Sequence, residues 1–220
     1  SGEYEYAIAV IGDPQYATHS YPEAIRAAYT WLAENKDEKN IQYVIGLGDL
    51  TDQCQTREWI EAISALEILE DAGLYYSVVR GNHDSAGNYK NWFSYEKYGS
   101  TADGCLKETM LNTYHKVKVK GVKYLFLNLD LIASDSTLDW ANEVIAAHSD
   151  YNVIITTHIY MGQSGKTFND TQGSDLSRYG MLNYPDVIWD RVVSQHSNIS
   201  MVLCGHAPTD NIVVNQRQGV

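Results

Sequence analysis

Aspartate, asparagine and histidine side chains follow five apolar segments of this chain. A glycine directly precedes the polar residue in four of the five cases. The five residues are Asp13, Asp49, Asn82, His158 and His206. Carboxylate, amide and imidazole groups suit divalent ions such as Zn, Fe, Mn and Ni. Two such ions about 3.5–4 Å apart lower the pKa of bound water to about 7 and stabilise charge on a phosphoryl group. The residue types therefore predict a metal site that hydrolyses phosphate esters, provided that the fold brings them together.

The elements that must position these residues follow from the alternation of apolar and amphipathic segments, which is typical of an α/β fold. The pattern predicts strands over 6–11, 43–47, 75–79, 114–119, 122–129, 153–157 and 199–203, the fourth and fifth forming a hairpin. It predicts helices over 22–34, 57–71, 88–98, 138–148 and 185–195, and a loop over 161–183. Because the carboxyl ends of strands line the ligand crevice in α/β sheets, we expect the five polar residues to meet at one edge.

These segment ends form a series of short motifs. They read Gly12-Asp13-Pro14-Gln15, Gly48-Asp49-Leu50-Thr51-Asp52, Gly81-Asn82-His83-Asp84, Thr157-His158 and Gly205-His206. The series resembles the blocks of the calcineurin-like metallophosphoesterases, D-x-[H/Q], G-D-x-x-D, G-N-H-[D/E], a lone His and G-H-x-H. One block is weak evidence, but five in order after five strands make coincidence improbable. The resemblance implies a four-layer αββα sandwich of two mixed β-sheets flanked by helices. We expect one domain over residues 1–220, with truncation at its C-terminus left open.

The resemblance also implies two divalent metal ions, with Mn, Fe, Zn, Ni and Mg all open as their identity. Asp49 is expected to bridge the ions. Asp13 and Gln15 are expected to bind the first ion. The second ion is expected to be bound by Asn82, His158 and His206.

Further residues are expected to act on the substrate. By resemblance, His83 contacts phosphate and assists the leaving group, and Asp84 orients His83 through a hydrogen bond. Asp52 is expected to brace its loop. The candidates for substrate binding are Asn82, Arg80, Tyr16 and Tyr160.

The chain departs from the family pattern at two positions. Gln15 stands where histidine is commoner, and Pro208 stands where the second histidine of G-H-x-H is expected. Proline offers no ligand atom, so the first metal site is expected to be weaker. Asp210 or His19 is the alternative source of the missing ligand.

Each of these residues has an ordinary structural role as an alternative. Aspartates after strands commonly cap helices, Asn82-His83-Asp84 suits a turn, and single histidines are often structural. Those alternatives require five separate coincidences, whereas one metal site accounts for all five residues.

Charge and composition limit the partners. The formal net charge of −12 disfavours binding to long nucleic acids, which favour basic surfaces. No apolar run approaches the roughly 20 residues of a membrane span. The cysteines at 54, 105 and 204 form no CxxC motif, and both a Cys54–Cys105 disulfide and three free thiols stay open. The chain begins without Met or a signal segment, and the resemblance is to exported bacterial proteins. We therefore expect an extracellular or cell-surface location, with a cytoplasmic one left open.

The leading functional hypothesis is a hydrolase of phosphomonoesters or phosphodiesters that uses metal-activated water and acts on a small phosphorylated molecule. The first alternative, motivated by Pro208, is a degraded family member that binds metal or a phosphorylated ligand without turnover. The second alternative is a nuclease, which the acidic composition does not favour. The oligomeric state is left open.

Overall fold

The computed structural model of the protein describes residues 4–168, 176–209, 212–217 and 219–220. A parallel sheet of three strands forms one half of the molecule, in the order β1-β2-β3. Its strands are β1 at Ala7–Ile11, β2 at Ile41–Gly46 and β3 at Tyr76–Val78. The connections carry helices α1 at Gln15–Ser20, α2 at Pro22–Glu34 and α3 at Thr56–Asp71. This arrangement directs the carboxyl ends of all three strands to the same edge.

A mixed sheet of five strands, in the order β4-β5-β6-β7-β8, forms the other half. Its strands are β4 at Gly104–Cys105, β5 at Thr113–Val119, β6 at Val122–Asn128, β7 at Asn152–Thr156 and β8 at Ile199–Leu203. The first three pair antiparallel, and β6, β7 and β8 pair in parallel. The remaining helices are α4 at Ala86–Trp92, α5 at Tyr95–Tyr98, α6 at Asp135–Ala147 and α7 at Pro185–Arg191.

Three apolar layers hold these elements together. One lies between the sheets, where Tyr43 of β2 stacks on Phe126 of β6 with ring centroids 4.2 Å apart. A second joins α2 and α3 to the first sheet and includes the fully buried Trp59. A third joins α6 and α7 to the second sheet, with Leu138 and Ile188 among its buried members. The resulting order of helices, sheet, sheet and helices confirms the predicted sandwich, although the smaller sheet is parallel and not mixed.

Local sequence accounts for several element boundaries. Gln55 and Glu58 form a capping box at the start of α3, each side chain bonding the other residue's backbone N–H. The β5–β6 hairpin turns at Lys120 and Gly121, whose φ angles of 47° and 89° suit a tight two-residue turn. The predicted helix over 88–98 is instead two short helices, α4 and α5, each begun by a serine cap. The pattern missed α1 and β4, and residues 169–175 of the predicted loop lie outside the described ones.

Two further expectations concern cysteines and membranes. Cys54, Cys105 and Cys204 are all free thiols in the structure. Within the part of the chain that the structure describes, every helix is too short or too polar to cross a bilayer.

Candidate metal centre

Asp49 lies at the centre of a group of polar residues just beyond the end of β2. Its backbone is left-handed, with a φ of 53°, a conformation that aspartate tolerates better than most residues. Its Oδ1 accepts the backbone N–H of His83 at 2.9 Å, and the side chain is 3% exposed. A Cβ at Gly81 would lie 2.0 Å from this Oδ1. The glycine therefore lets the loop after β3 approach Asp49 closely.

The side chains of Asn82, His158 and His206 converge beside Asp49. Asn82 Oδ1 lies 2.9 Å from His158 Nε2 and 2.7 Å from His206 Nδ1. His158 Nε2 lies 3.2 Å from Asp49 Oδ2. Asp49 and Asn82 follow strands of the first sheet, whereas His158 and His206 follow strands of the second. The structure thus brings together from both sheets the four residues that were predicted for the second metal.

The tautomer of His158 leaves one ring nitrogen available to a cation. Its Nδ1 lies 2.7 Å from the carbonyl oxygen of Leu47, which can only accept, so the proton resides on Nδ1. Nε2 then presents a lone pair towards the oxygens of Asn82 and Asp49. Lone pairs repel at such distances unless a proton or a metal ion lies between them. The arrangement therefore suits a divalent cation. Histidines that bind metal commonly donate their other ring N–H to a carbonyl, as His158 does to Leu47.

The pKa values of these groups reflect the same crowding. Burial opposes charge on His158, but the Asp49 carboxylate outweighs it and raises the pKa of the imidazole. Burial alone would raise the pKa of Asp49, but hydrogen bonding to His158 lowers it overall. Burial, with the neighbouring His158, lowers the pKa of His206 to about 4. Asp49 is thus favoured in its charged form and His206 in its neutral form, which are the forms that bind metal. The raised pKa of His158 favours a proton on Nε2, so a cation bound there would take the place of that proton.

Asp13 and Gln15 supply oxygens on the side predicted for the first metal. Asp13 Oδ2 accepts the backbone N–H of His206 at 2.6 Å, and Gln15 Nε2 lies 3.4 Å from Asp49 Oδ2. Asp13 Oδ1 and Gln15 Oε1 are buried without a hydrogen-bond partner. Burial raises the pKa of Asp13. Because buried oxygens normally find a partner, these two atoms fit a cation that they would share with Asp49.

The metal-binding atoms of Asp13, Asp49 and His158 lie within 4.8 Å of one another, which supports a metal site at this edge. Pro208 adds no ligand, as expected from the sequence. His19 does not replace it, because its Nδ1 bonds Glu58 Oε1 at 2.5 Å. The other predicted substitute, Asp210, lies outside the described residues.

The partner of His83 differs from the predicted one. His83 Nδ1 lies 2.7 Å from the backbone oxygen of Asp52 and 3.4 Å from its carboxylate. The Asp84 carboxylate instead accepts N–H groups of Leu50, Thr51 and Gly81 at 2.9–3.1 Å. The prediction that Asp84 orients His83 by a hydrogen bond is therefore wrong, and Asp52 has that position. Burial raises the pKa of Asp84 to about 6, and its hydrogen bonds join the loops after β2 and β3.

Two of the residues predicted to bind substrate are buried in contacts within the protein. Arg80 forms a two-pronged ion pair with Asp130, with N–O distances of 2.8 and 2.9 Å, and is 4% exposed. Tyr160 packs with the apolar cluster around Trp189. A substrate contact does not fit either arrangement. Tyr16 is exposed on α1, so its contact with substrate stays a prediction.

Sequence reasoning did not identify the aromatic residues around His206. The ring centroids of Tyr179 and Phe168 lie 5.5 and 6.4 Å from that of His206, both edge-on. The guanidinium of Arg178 lies 4.7 Å from the Tyr179 ring and is solvent-exposed. All three residues belong to the predicted loop over 161–183, whose placement beside the site no local pattern indicated.

The model of the calcineurin-like phosphoesterase family matches residues 6–210. The chain belongs to this family. The candidate ligands described above come from the segments that resemble the family's blocks. Membership supports a metal-dependent phosphoesterase in general terms.

Relatives of this chain extend the comparison. It is 28% identical over 210 residues to the uncharacterized protein YvnB of Bacillus subtilis (strain 168), a match that covers 91% of this chain. The match spans only 15% of that relative's length. A dimetal phosphatase from Danio rerio has a similar fold, with a TM-score of 0.60, 15% identity, and coverage of 93% of this chain and 82% of the other. A purple acid phosphatase from yellow lupin (Lupinus luteus) seeds gives a TM-score of 0.54 at 14% identity, covering 92% of this chain and 38% of the other. These likenesses confirm the fold.

Proposed function

We propose that this phosphoesterase hydrolyses phosphomonoesters or phosphodiesters of small molecules. The observation that carries the proposal is that Asn82 Oδ1 and Asp49 Oδ2 both lie within 3.2 Å of the buried His158 Nε2. Lone-pair atoms this close together need a shared proton or a cation between them, and one divalent ion could bind all of them. Divalent ions bound there would supply positive charge to phosphoryl oxygens and acidify water.

The chain's own residues have distinct roles in this proposal. Asp13, Gln15 and Asp49 would hold one ion, and Asp49 with Asn82, His158 and His206 would hold the other. His83 Nδ1–H donates to the Asp52 carbonyl, which orients the ring; when the imidazole also carries a proton on Nε2, it can pass that proton to the leaving-group oxygen. This assignment gives His83 a function in turnover but none in metal binding.

The surroundings of His206 favour a small substrate with one phosphoryl group in the site. Arg178 is an exposed cation that lies over the Tyr179 ring, and the rings of Tyr179 and Phe168 lie edge-on to His206. Guanidinium binds phosphate oxygens through paired N–H groups, and aromatic rings suit a flat or apolar leaving group. The net charge of −12 makes long nucleic acids poor partners. We therefore place an aryl or similar ester of phosphate among the substrates to be tried first.

The test uses chelator-treated protein supplied separately with Mn, Zn, Ni or Mg. Hydrolysis of 4-nitrophenyl phosphate and of bis(4-nitrophenyl) phosphate is measured together with bound metal. Asp49→Asn keeps a residue that tolerates the left-handed backbone but removes the charge shared by both ions. We expect it to lose metal and to reduce turnover by at least about a hundredfold. Asp71→Asn, at the exposed end of α3, is the matched control. Unchanged turnover in Asp49→Asn would refute the proposal.

Binding without turnover is a second candidate because Pro208 supplies no ligand to the first ion. In that case the protein would bind one equivalent of metal and hydrolyse neither ester with any of the four metals. Bound metal in wild-type protein without hydrolysis would favour this candidate over the enzyme.

A further inference from the structure

A cavity of about 770 Å³ lies beside β3, at one edge of the first sheet. Its volume is within the range of roughly 300–1,000 Å³ that is usual for ligand sites. Among the strands that the structure describes, β3 pairs with β2 alone, so its other side is an open edge. Residues 73–78 all line the cavity, although their side chains alternate between the two faces of the sheet. The cavity therefore lies along the backbone edge of β3, in the position that a fourth strand would occupy.

The hydrogen bonds of β3 show which of its backbone groups face the cavity. The Tyr75 carbonyl and the Val79 N–H bond residues of β2 at 3.0 and 3.2 Å. Because backbone groups alternate in direction along a strand, those of Tyr76 and Val78 face the opposite way. The hydroxyl of Tyr89 confirms this direction, since it donates to the Val78 carbonyl at 2.8 Å from the cavity side. The N–H groups of Tyr76 and Val78 and the Tyr76 carbonyl are therefore directed to where an added strand would pair.

The two walls of the cavity differ in chemistry. The wall formed by α5 and the end of α4 is apolar and aromatic, and it includes Phe93 and Tyr98. The wall between the two sheets includes the polar side chains of Ser77, Thr113 and His115, all of which are buried. An extended chain directs alternate side chains to opposite sides. A segment at this edge would thus place apolar side chains against the first wall and small polar ones against the second.

The charged residues of the cavity favour an acidic segment. Five exposed charged residues line it, and they are Lys97, Lys116, Lys118, Glu70 and Asp103. Both carboxylates already have a partner within the protein. Asp103 Oδ1 lies 3.3 Å from Lys116 Nζ, and Glu70 Oε1 accepts the hydroxyl of Tyr76 at 2.6 Å. Lys97 and Lys118 contribute two further positive charges, on a chain whose net charge is −12. The mouth of the cavity therefore complements carboxylates.

We propose that the edge of β3 binds an extended acidic peptide segment by strand addition. The segment pairs its backbone with Tyr76 and Val78 and places its carboxylates near Lys97 and Lys118. In this mode of recognition, main-chain hydrogen bonds give affinity and the contacts of alternate side chains give specificity. The inference is independent of the proposed function, because none of these residues is a candidate metal ligand.

The first test uses a fluorescein-labelled peptide, Asp-Leu-Ser-Val-Thr-Leu-Glu, in which apolar and small polar residues alternate. Fluorescence anisotropy measures its binding to the full chain. Two isomers carry N-methyl groups either on the Leu and Val positions or on the Ser and Thr positions. Only alternate N–H groups of an added strand face β3. We therefore expect one isomer to bind like the parent peptide and the other at least about tenfold more weakly. Equal binding of both isomers, or no binding of the parent peptide, would overturn the inference.

A matched pair of variants tests the same edge from the protein side. Tyr76→Pro removes the N–H that faces the cavity and keeps the bonds of Tyr75 and Val79 to β2, an orientation in which edge strands tolerate proline. Tyr76→Ala removes the same side chain but keeps the N–H. We expect the parent peptide to bind Tyr76→Pro at least about tenfold more weakly than Tyr76→Ala. Circular dichroism checks that both variants are folded. Equal affinities would contradict pairing at this edge, and if Tyr76→Pro does not fold, the N-methylated isomers decide with wild-type protein.

Two further measurements address the nature of the occupant. Replacing the Asp and Glu of the peptide by Asn and Gln should weaken binding about threefold or more at low salt, because the lysines lose their partners. Unchanged affinity would disprove the preference for an acidic segment. Light scattering reports whether a second copy of the chain occupies the edge instead. A wild-type dimer that Tyr76→Pro dissociates and the peptide does not displace would overturn the proposal.

Discussion

The buried ion pair of Arg80 and Asp130 allows a test of why an arginine stands directly before the Gly81-Asn82-His83 segment. The two side chains are 5% and 7% exposed, and they are joined by hydrogen bonds of 2.8 and 2.9 Å. Arg80 also donates to the backbone oxygen of Asp84 at 3.2 Å. Replacement of Arg80 by Met keeps much of its volume but leaves the Asp130 carboxylate buried without its partner.

The expected loss follows from that unpaired charge. Removing one member of a buried ion pair costs about 3–5 kcal/mol, whereas replacing both by apolar residues is often close to neutral. We expect Arg80→Met to lower the free energy of unfolding by about 3–5 kcal/mol. Arg80→Met combined with Asp130→Leu should recover most of this loss. The hydrogen bond to Asp84 is lost in both variants, so the difference between them isolates the uncompensated charge.

Urea unfolding followed by tryptophan fluorescence measures both variants against the wild type. Steady-state kinetics on an aryl phosphate, below the temperature at which either variant unfolds, measures KM. The reasoning is refuted if Arg80→Met unfolds within about 1 kcal/mol of the wild type while its KM rises several-fold. That result would restore Arg80 as the substrate-binding residue that the sequence suggested.

Three other perturbations have definite expected results. A Cβ at Gly205 would lie 2.0 Å from Asp13 Oδ1, so Gly205→Ala should displace this carboxylate. Metal analysis and ester hydrolysis should then show less bound metal and slower turnover. Unchanged metal content would contradict this geometry. Burial lowers the pKa of His115 from 6.5 to about 4, so the unfolded chain gains a proton there before the folded chain does, and stability falls as pH falls through that window. The loss in the free energy of unfolding should reach roughly 3 kcal/mol, at about 1.4 kcal/mol per pKa unit. Urea unfolding at about pH 7 and about pH 4 measures this loss, which should be absent in His115→Gln. An equal loss in both proteins would disprove the assignment. Removal of metal by a chelator should abolish turnover and lower the melting temperature, and added Mn or Zn should restore both; a melting temperature that does not respond to metal would count against the site.

The main elements and the residues predicted as metal ligands could be read from the sequence because both depend on local patterns. Alternating apolar segments indicate strands, and Asp49 or Asn82 directly after such a segment indicates a side chain at the sheet edge. Seven of the eight strands in the described part of the chain were predicted in this way, and β4, which has two residues, was missed. Helix α1 was missed because its six residues carry too few apolar positions to show a helical period.

The contacts that depend on distant pairing could not be read in the same way. Arg80 and Asp130 are separated by 50 residues, and nothing near either one indicates the other. The contact between His83 and Asp52 depends on a loop that includes Cys54 with a left-handed φ of 57°. A short motif gives residue types but not loop geometry. For that reason Asp84, adjacent in sequence, was preferred over Asp52.

The division of the ligands between two sheets bears on how the protein assembles. Asp13 and His206, whose groups touch, are 193 residues apart in the chain. Closing so long a loop is slow relative to local pairing, so a chain that has formed only its first sheet would hold Asp13, Asp49 and Asn82 but no imidazole from β7 or β8. Affinity for a transition metal should consequently arise late in refolding, when the second sheet docks. The rate at which the protein captures a metal ion then reports the joining of its two halves.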